Sequence, residues 1–348
     1  MEKRESAAAD RHVLVVGGAG YIGSVLTAAL LERGYRVRVL DALIYGNGRT
    51  LADVIEHPRF SFLRGDVCVP DTFRTAMEGI TDVAFLASLV GDPICKKYPD
   101  QARAVNSVGP KRCIDALGKL KVDKFIFVST CSNYGLQPDN SLATETSSLN
   151  PLSLYAETKV EVEQYIQSRL GAIDFCPVVL RLATAFGLSK RMRFDLTVNE
   201  FTREMALGRP LVVYDEDTWR PYCHTGDISQ AIIAALEAPS HSIRGEVFNV
   251  GSEQGNLTKR MIVERLGAYF DTSGVTYKSG GLDARNYCVS FEKIQRVLGF
   301  KAQFSVEQTM TSLAAAIRSG VFSDAESART FYGNYEVDTS SLQSQNAV

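Results

Sequence analysis

The sequence predicts an α/β protein in which a doubly wound parallel sheet carries a smaller C-terminal lobe. Three observations lead there. Short apolar runs alternate with helical patterns over the first two-thirds of the chain, as βαβ crossovers require. A glycine-rich turn, VVGGAGYIGS, falls between the first apolar run and the first helical pattern. After Arg181 the rhythm changes to longer helical patterns with scattered strand candidates.

HVLVV (12–16) is short and wholly apolar, as a strand buried on both faces should be. IGSVLTAALLER (22–33) reads as a helix that Gly34 caps. RVRVL (36–40) is the next strand, and others are expected at 60–63, 82–87, 124–128 and 177–182. Helical patterns occupy 71–78, 99–118 and 154–170. Beyond Arg181, helices are expected at 195–207, 227–237, 257–270, 292–298 and 305–318, with short strands at 211–214, 246–249 and 275–278. The expected organisation is a flexible tail (1–10), a nucleotide-binding domain (11–182), a mainly substrate-binding lobe (183–322) and a polar tail (323–348). That last stretch is poor in aliphatics and reads as disordered or peripheral.

Composition narrows the function classes. The 348 residues are 45% hydrophobic and 22% charged, with a formal net charge of −2. That balance gives a nucleic acid no reason to bind. No apolar run approaches the ~20 residues that span a bilayer. The seven cysteines are odd in number and form no C-x-x-C pair, so neither a disulfide framework nor a metal site is expected. A reducing cytoplasm fits them.

Gly17, Gly20 and Gly23 follow a strand and open a helix. Glycines so placed allow a tight turn and let backbone approach a pyrophosphate at a helix N-terminus. The arrangement predicts a Rossmann-type dinucleotide site. Asp41 ends the second strand, about 20 residues on, where an acid accepts hydrogen bonds from the adenosine ribose. A carboxylate there repels a 2′-phosphate, so NAD is expected rather than NADP. Arg49 is the residue that could oppose this, and Arg38 points to neither. Asp66, in RGDV, could reach the adenine edge or serve as a turn residue. Tyr155 and Lys159 lie four apart in a helical pattern and so share one face. A phenol of pKa about 10 is a poor base at neutral pH. A nearby ammonium and a positive nicotinamide would both favour the phenolate.

With these motifs in place, the chain resembles the NAD-dependent epimerase/dehydratase group of extended short-chain dehydrogenases/reductases. The resemblance spans about 12–320 and is carried by GGAGYIG (17–23), Asp41, GDV (65–67), STCSNYG (129–135), YAETK (155–159), RPYCHTGD (220–227) and NVG (249–251). It implies a Rossmann fold, bound NAD, a nucleotide-diphosphate sugar as substrate, and a homodimer. Helices 99–118 and 154–170 would pair with their mates through Val105, Val108, Cys113, Leu117, Val160, Val162 and Ile166. Cofactor contacts are expected from the three glycines, Tyr21, Ile22, Asp41, Asp66, Val67, Leu86, Ala87 and Lys159.

The resemblance also assigns Thr130, Tyr155 and Lys159 to proton handling. In 4,6-dehydratases the two positions after the Thr are Asp and Glu; here they are Cys131 and Ser132. Cys131 stays open between an acid/base role and inert packing. Ser132, Thr184, Asn199, Arg220 and Arg285 are expected to touch substrate, the arginines through its diphosphate. Thr184 departs from the family's Asn. His224 and Asp227 are expected to order their loop. The implied reaction is epimerisation by transient oxidation of a sugar ring hydroxyl, at C4. The alternatives are a dehydratase, 5-epimerase or ketosugar reductase using Cys131, or a non-catalytic dinucleotide sensor.

Overall fold

The computed structural model describes residues 10–137, 141–281 and 285–338. Seven strands form one parallel sheet: β1 (His12–Val16), β2 (Arg36–Asp41), β3 (Phe60–Arg64), β4 (Asp82–Phe85), β5 (Lys124–Thr130), β6 (Cys176–Leu182) and β7 (Val247–Val250). Their order is β3-β2-β1-β4-β5-β6-β7. The order reverses between β1 and β4. In open parallel sheets ligands bind at such a switch point, beyond the strands' carboxyl ends.

Alternation along the strands splits the core in two. Val13, Val15, Val37 and Ile126 face the helices Gly23–Glu32 and Thr225–Glu237, meeting Leu26, Leu30, Ile228 and Ile232. Leu14, Val83, Phe85 and Phe127 face the other way, toward Ile114, Val162 and Ile166. Each such fully buried side chain is worth roughly 1.5–3 kcal/mol.

The helical stretch predicted at 99–118 is interrupted. Pro99–Arg103 and Gly109–Leu117 are α-helical and flank a π turn, Ala104–Val108. Pro110 has no N–H to give the carbonyl of Asn106, and the widened turn makes room for its ring. Asn106 is fully buried there and holds the loop after β4 through Ser88 Oγ (2.8 Å) and both backbone groups of Leu89 (2.8 and 3.0 Å).

Three expectations need correction. Residues beyond 182 do not simply form a lobe. β7 extends the main sheet beside β6, and the helices Thr225–Glu237 and Glu292–Leu298 pack on the same core. The separate cluster beyond the sheet is smaller, centred on Val198, Phe201, Leu211, Tyr222 and Ile262. The described part of the expected polar tail, 323–338, is not peripheral: Ala325, Phe331, Tyr332 and Val337 are buried. Few residues of 323–338 are apolar, yet most of those few are buried. The expected tail 1–10 lies outside the described residues apart from Asp10. Finally, six of the seven apolar residues expected to pair two copies are buried inside the chain. Only Val108, 42% exposed, faces out. The π turn and the packing against β5 consume the face that a helical wheel assigns to a partner.

Among the described residues, no helix is long and apolar enough to cross a membrane.

Candidate active site

A cleft of about 1070 Å³ opens at the switch point. Its floor is the glycine turn. Gly17 has φ +85, and a Cβ there would stand 2.8 Å from Ala87 N. A Cβ on Gly23 would stand 2.2 Å from Gly17 O. The turn is thus closed to side chains, and its backbone lies open at the start of the helix Gly23–Glu32. Gly20, Tyr21, Ile22, Asp66, Val67, Leu86 and Ala87 line the same cleft.

Asp41 is placed at its rim by β2. Its carboxylate accepts from Ala19 N (3.0 Å) and Leu43 N (2.8 Å). Burial raises its pKa, and these two N–H bonds oppose the rise. The arginines that could favour a 2′-phosphate are engaged elsewhere. Arg38 donates to Ala76 O and Glu78 O, both at 2.8 Å. Arg49 lies 3.6 Å over the Phe331 ring and pairs with Asp324. A bare turn at a helix start and a carboxylate at the rim, with Arg38 and Arg49 held elsewhere, fit NAD.

The helix Leu154–Arg169 carries Tyr155 and Lys159 to the other end of the cleft. Ser153 caps it, its Oγ accepting from Ala156 N at 3.4 Å. Lys159 is 1% exposed, and its Nζ donates to Val128 O at 2.9 Å and sits 5.9 Å from the centre of the Tyr155 ring. Burial lowers its pKa to about 7. Burial raises the Tyr155 phenol and nearby Cys95 adds to this, while the charges of Arg193 and Arg285 oppose it. Thr130, at the end of β5, accepts from Ser132 N at 3.1 Å through Oγ1. Thr130, Ser132, Tyr155, Lys159, Thr184, Arg220 and Arg285 all line the cleft. Ser132 Oγ accepts from Arg285 Nη1 at 3.0 Å, and Arg285 also pairs with Asp92 at 3.3 Å.

Two predicted site residues fall elsewhere. Cys131 is fully buried and points into the core, its thiol donating to Arg181 O at 3.2 Å. Burial raises its pKa far above the ordinary thiol range. Its sulfur faces the core and not the cleft. In the short turn Cys131–Tyr134, Cys131, Asn133 and Tyr134 are buried and Ser132 is the residue that reaches the cleft. Asn199 is also fully buried. Its amide bonds Gly187 N (3.0 Å), Tyr21 Oη (2.9 Å) and Arg193 O (2.9 Å), tying the glycine-loop tyrosine to the lobe. His224 accepts from Gly226 N at 3.1 Å, and Asp227 accepts from Gln303 N and Phe304 N, so both order backbone.

Sequence reasoning missed the support behind the catalytic strand. Glu163, on the Tyr155 helix, accepts from Asn133 Nδ2 (2.8 Å), Arg181 Nη2 (2.7 Å) and Ser129 Oγ. All four side chains are buried. The network joins helix, strand end and turn, leaving only Asn133 Oδ1 of its buried amide without a partner. The signal was there: an arginine inside the apolar run PVVLRL, and a glutamate four residues past Lys159. Arg191, Arg193, Asp195, Asn334 and Tyr335 also line the cleft and were missed.

Comparison with known proteins agrees with this geometry. The model of the NAD dependent epimerase/dehydratase family matches residues 13–251. A UDP-glucose 4-epimerase of Corynebacterium glutamicum is 28% identical over 329 residues, covering 89% of this chain and 96% of that protein. A dTDP-glucose 4,6-dehydratase of Actinoplanes sp. is 28% identical over 319 residues, covering 88% and 98%. The structure of Thermus thermophilus UDP-glucose 4-epimerase with NAD superposes with a TM-score of 0.77 at 25% identity, covering 88% of this chain and 99% of that one. The chain belongs to the NAD-dependent epimerase/dehydratase family and is an enzyme of that family.

Proposed function

We propose that this family member is a nucleotide-sugar 4-epimerase. Tyr155 takes the proton from the C4 hydroxyl as that carbon is oxidised, and returns it when the ketone is reduced from the other face. Thr130 hydrogen-bonds the same oxygen. Lys159, fixed by Val128 O, holds positive charge beside the phenol. NAD, when bound, accepts the hydride and gives it back. Arg220 and Arg285 hold the diphosphate, for which a guanidinium fork is suited. The unpaired thiols fit a reducing cytoplasm as the setting.

The observation that carries epimerisation over elimination is the burial of Cys131. A dehydratase needs an acid and a base beside C5 and C6. The strand-end turn offers Ser132 to the cleft, no carboxylate, and a thiol turned away. The test is a panel of UDP-, GDP-, TDP- and CDP-sugars turned over with NAD in D₂O and read by NMR. The expected product is the C4 epimer with no deuterium at C5. Deuterium at C5, or a 4-keto-6-deoxy product, overturns the reading.

A further inference from the structure

One wall of the cleft comes from a segment far beyond residue 251, where the family match ends. After the helix Val306–Arg318 the chain runs through turns, and Ala325, Phe331 and Tyr332 bury against Tyr21, Met192, Phe194 and Leu313. Phe194 N donates to Tyr332 O at 2.8 Å. The chain then crosses the cleft, which Asn334 and Tyr335 line. Val337 is buried in a cluster with Tyr45, Leu89, Ile94 and Cys95, against which Tyr155 packs. Asp338 N donates to Ile44 O at 2.9 Å, and Glu336 pairs with Lys97 at 2.9 Å.

Asn334 is the crossing point. Its Nδ2 donates to Val90 O at 2.8 Å, on the loop after β4. Its Oδ1 accepts from Arg191 Nη2 at 2.8 Å, and its N–H donates to Asp195 Oδ2 at 3.1 Å, both on the loop that enters the substrate lobe. One 7%-exposed side chain and its amide thus join the two sides of the cleft. Asp195 in turn holds Arg193 by two bonds, of 3.0 and 2.6 Å.

We propose that residues 321–338 are a strap across the cleft, that Asn334 is its clasp, and that a dinucleotide enters and leaves only when the clasp opens. Asn334 is a positioning residue: it acts through Val90, Arg191 and Asp195. The strap's use rests on the epimerase reading, since a hydride returned to the same sugar requires a cofactor that stays. Its gating of the dinucleotide does not depend on which sugar turns over.

Gating has a kinetic signature. Weakening a clasp raises the open population, so association and dissociation both speed up and Kd moves less than either. Losing a mere contact speeds dissociation alone. Stopped-flow fluorescence of NADH on the full chain and on Asn334→Ala reads both rates. Each should rise about fivefold or more, the scale of one net hydrogen bond. Unchanged rates, or faster dissociation with unchanged association, overturn the proposal. A second measurement needs no variant. Saturating NADH should slow hydrogen exchange at the amides of 333–338 in the native chain, and no protection there overturns the gate. Failure of the full chain to bind NADH overturns the cofactor assignment and the strap together. NADH binding with no sugar turned over overturns only the epimerase reading.

Discussion

The two walls of the cleft are made by different means. The floor beside Asp41 is backbone: a glycine turn, a strand end and a helix start, contiguous in sequence from Val13 to Asp41. The opposite wall is side chains gathered from afar: Arg191 bonds Asn334 and Arg285 bonds Ser132 across long stretches of chain, and Arg193 and Arg220 line it too. A backbone wall is fixed by local sterics, as the 2.2 Å approach of a Cβ at Gly23 to Gly17 O shows. It suits a cofactor common to a whole family. A side-chain wall can change residue by residue without disturbing the sheet, and it suits a substrate. The catalytic helix stands between the two, with the backbone wall's rigidity and the side-chain wall's chemistry.

The largest expected effect breaks the chemistry and spares both walls. Tyr155→Phe keeps the ring and its packing but removes the oxygen. Turnover should fall by ~10²-fold or more, the usual scale for general acid–base catalysis. NADH affinity, measured by fluorescence titration, should hold within about threefold, since the floor is untouched. Near-full activity in this variant would remove Tyr155 from the mechanism. Lost cofactor binding would show that the walls are not separable.

Lys159→Met sharpens the boundary through pH. In the native cleft the buried ammonium titrates at about 7 and the buried phenol far higher. The first proton lost by this pair therefore leaves near pH 7, and the remaining one is shared between them. The state lacking one proton includes the phenolate–ammonium form, so kcat/KM should rise with pH through about 7. Without the ammonium the phenol must ionise alone, and the rise should move beyond pH 9. Stability rises with pH in the same direction. A lysine whose folded pKa lies below its unfolded value costs stability in full below about 7, and the cost fades as pH rises toward 10. Lys159→Met should therefore melt higher than the native chain at pH 6, by a margin that shrinks by pH 9. A pH-independent margin would contradict the burial argument.

The same contrast explains what the sequence disclosed. The sheet, the glycine floor and the Tyr155–Lys159 face are written in spacing, because strands and helices repeat at fixed periods. Arg220 and Arg285 emerged through resemblance. Asn334 and the strap did not emerge, since nothing local to the polar run SDAESART (323–330) distinguishes a packed crossing from a loose tail; only the distant partners Val90, Arg191 and Arg49 do. Cys131 shows the finer limit. Its place directly after β5 follows from the strand pattern, but a turn decides which way each side chain faces, and that is a matter of backbone angles.

Cys131 also supplies the smallest expected effect. Its thiol lies in the core with Val128, Leu182 and Cys223, behind the catalytic strand. Cys131→Ala removes one sulfur from a packed interior and should cost stability on the order of 1 kcal/mol. Turnover of the preferred sugar should stay within about twofold, because nothing in the cleft loses a partner. Cys131→Ser keeps a donor for Arg181 O and should do the same. Alkylation gives an independent reading. Only a thiolate within reach reacts, so at pH 8 iodoacetamide should label the partly exposed Cys288 slowly, Cys68 more slowly still because burial and Asp66 keep its thiol protonated, and Cys131 only once the chain unfolds. Rapid labelling of Cys131 in the native chain, or a keto sugar accumulating in Cys131→Ala, would place the thiol in the cleft after all. The elimination and 5-epimerisation chemistry would then return, and the substrate wall would reach one residue deeper than the geometry places it.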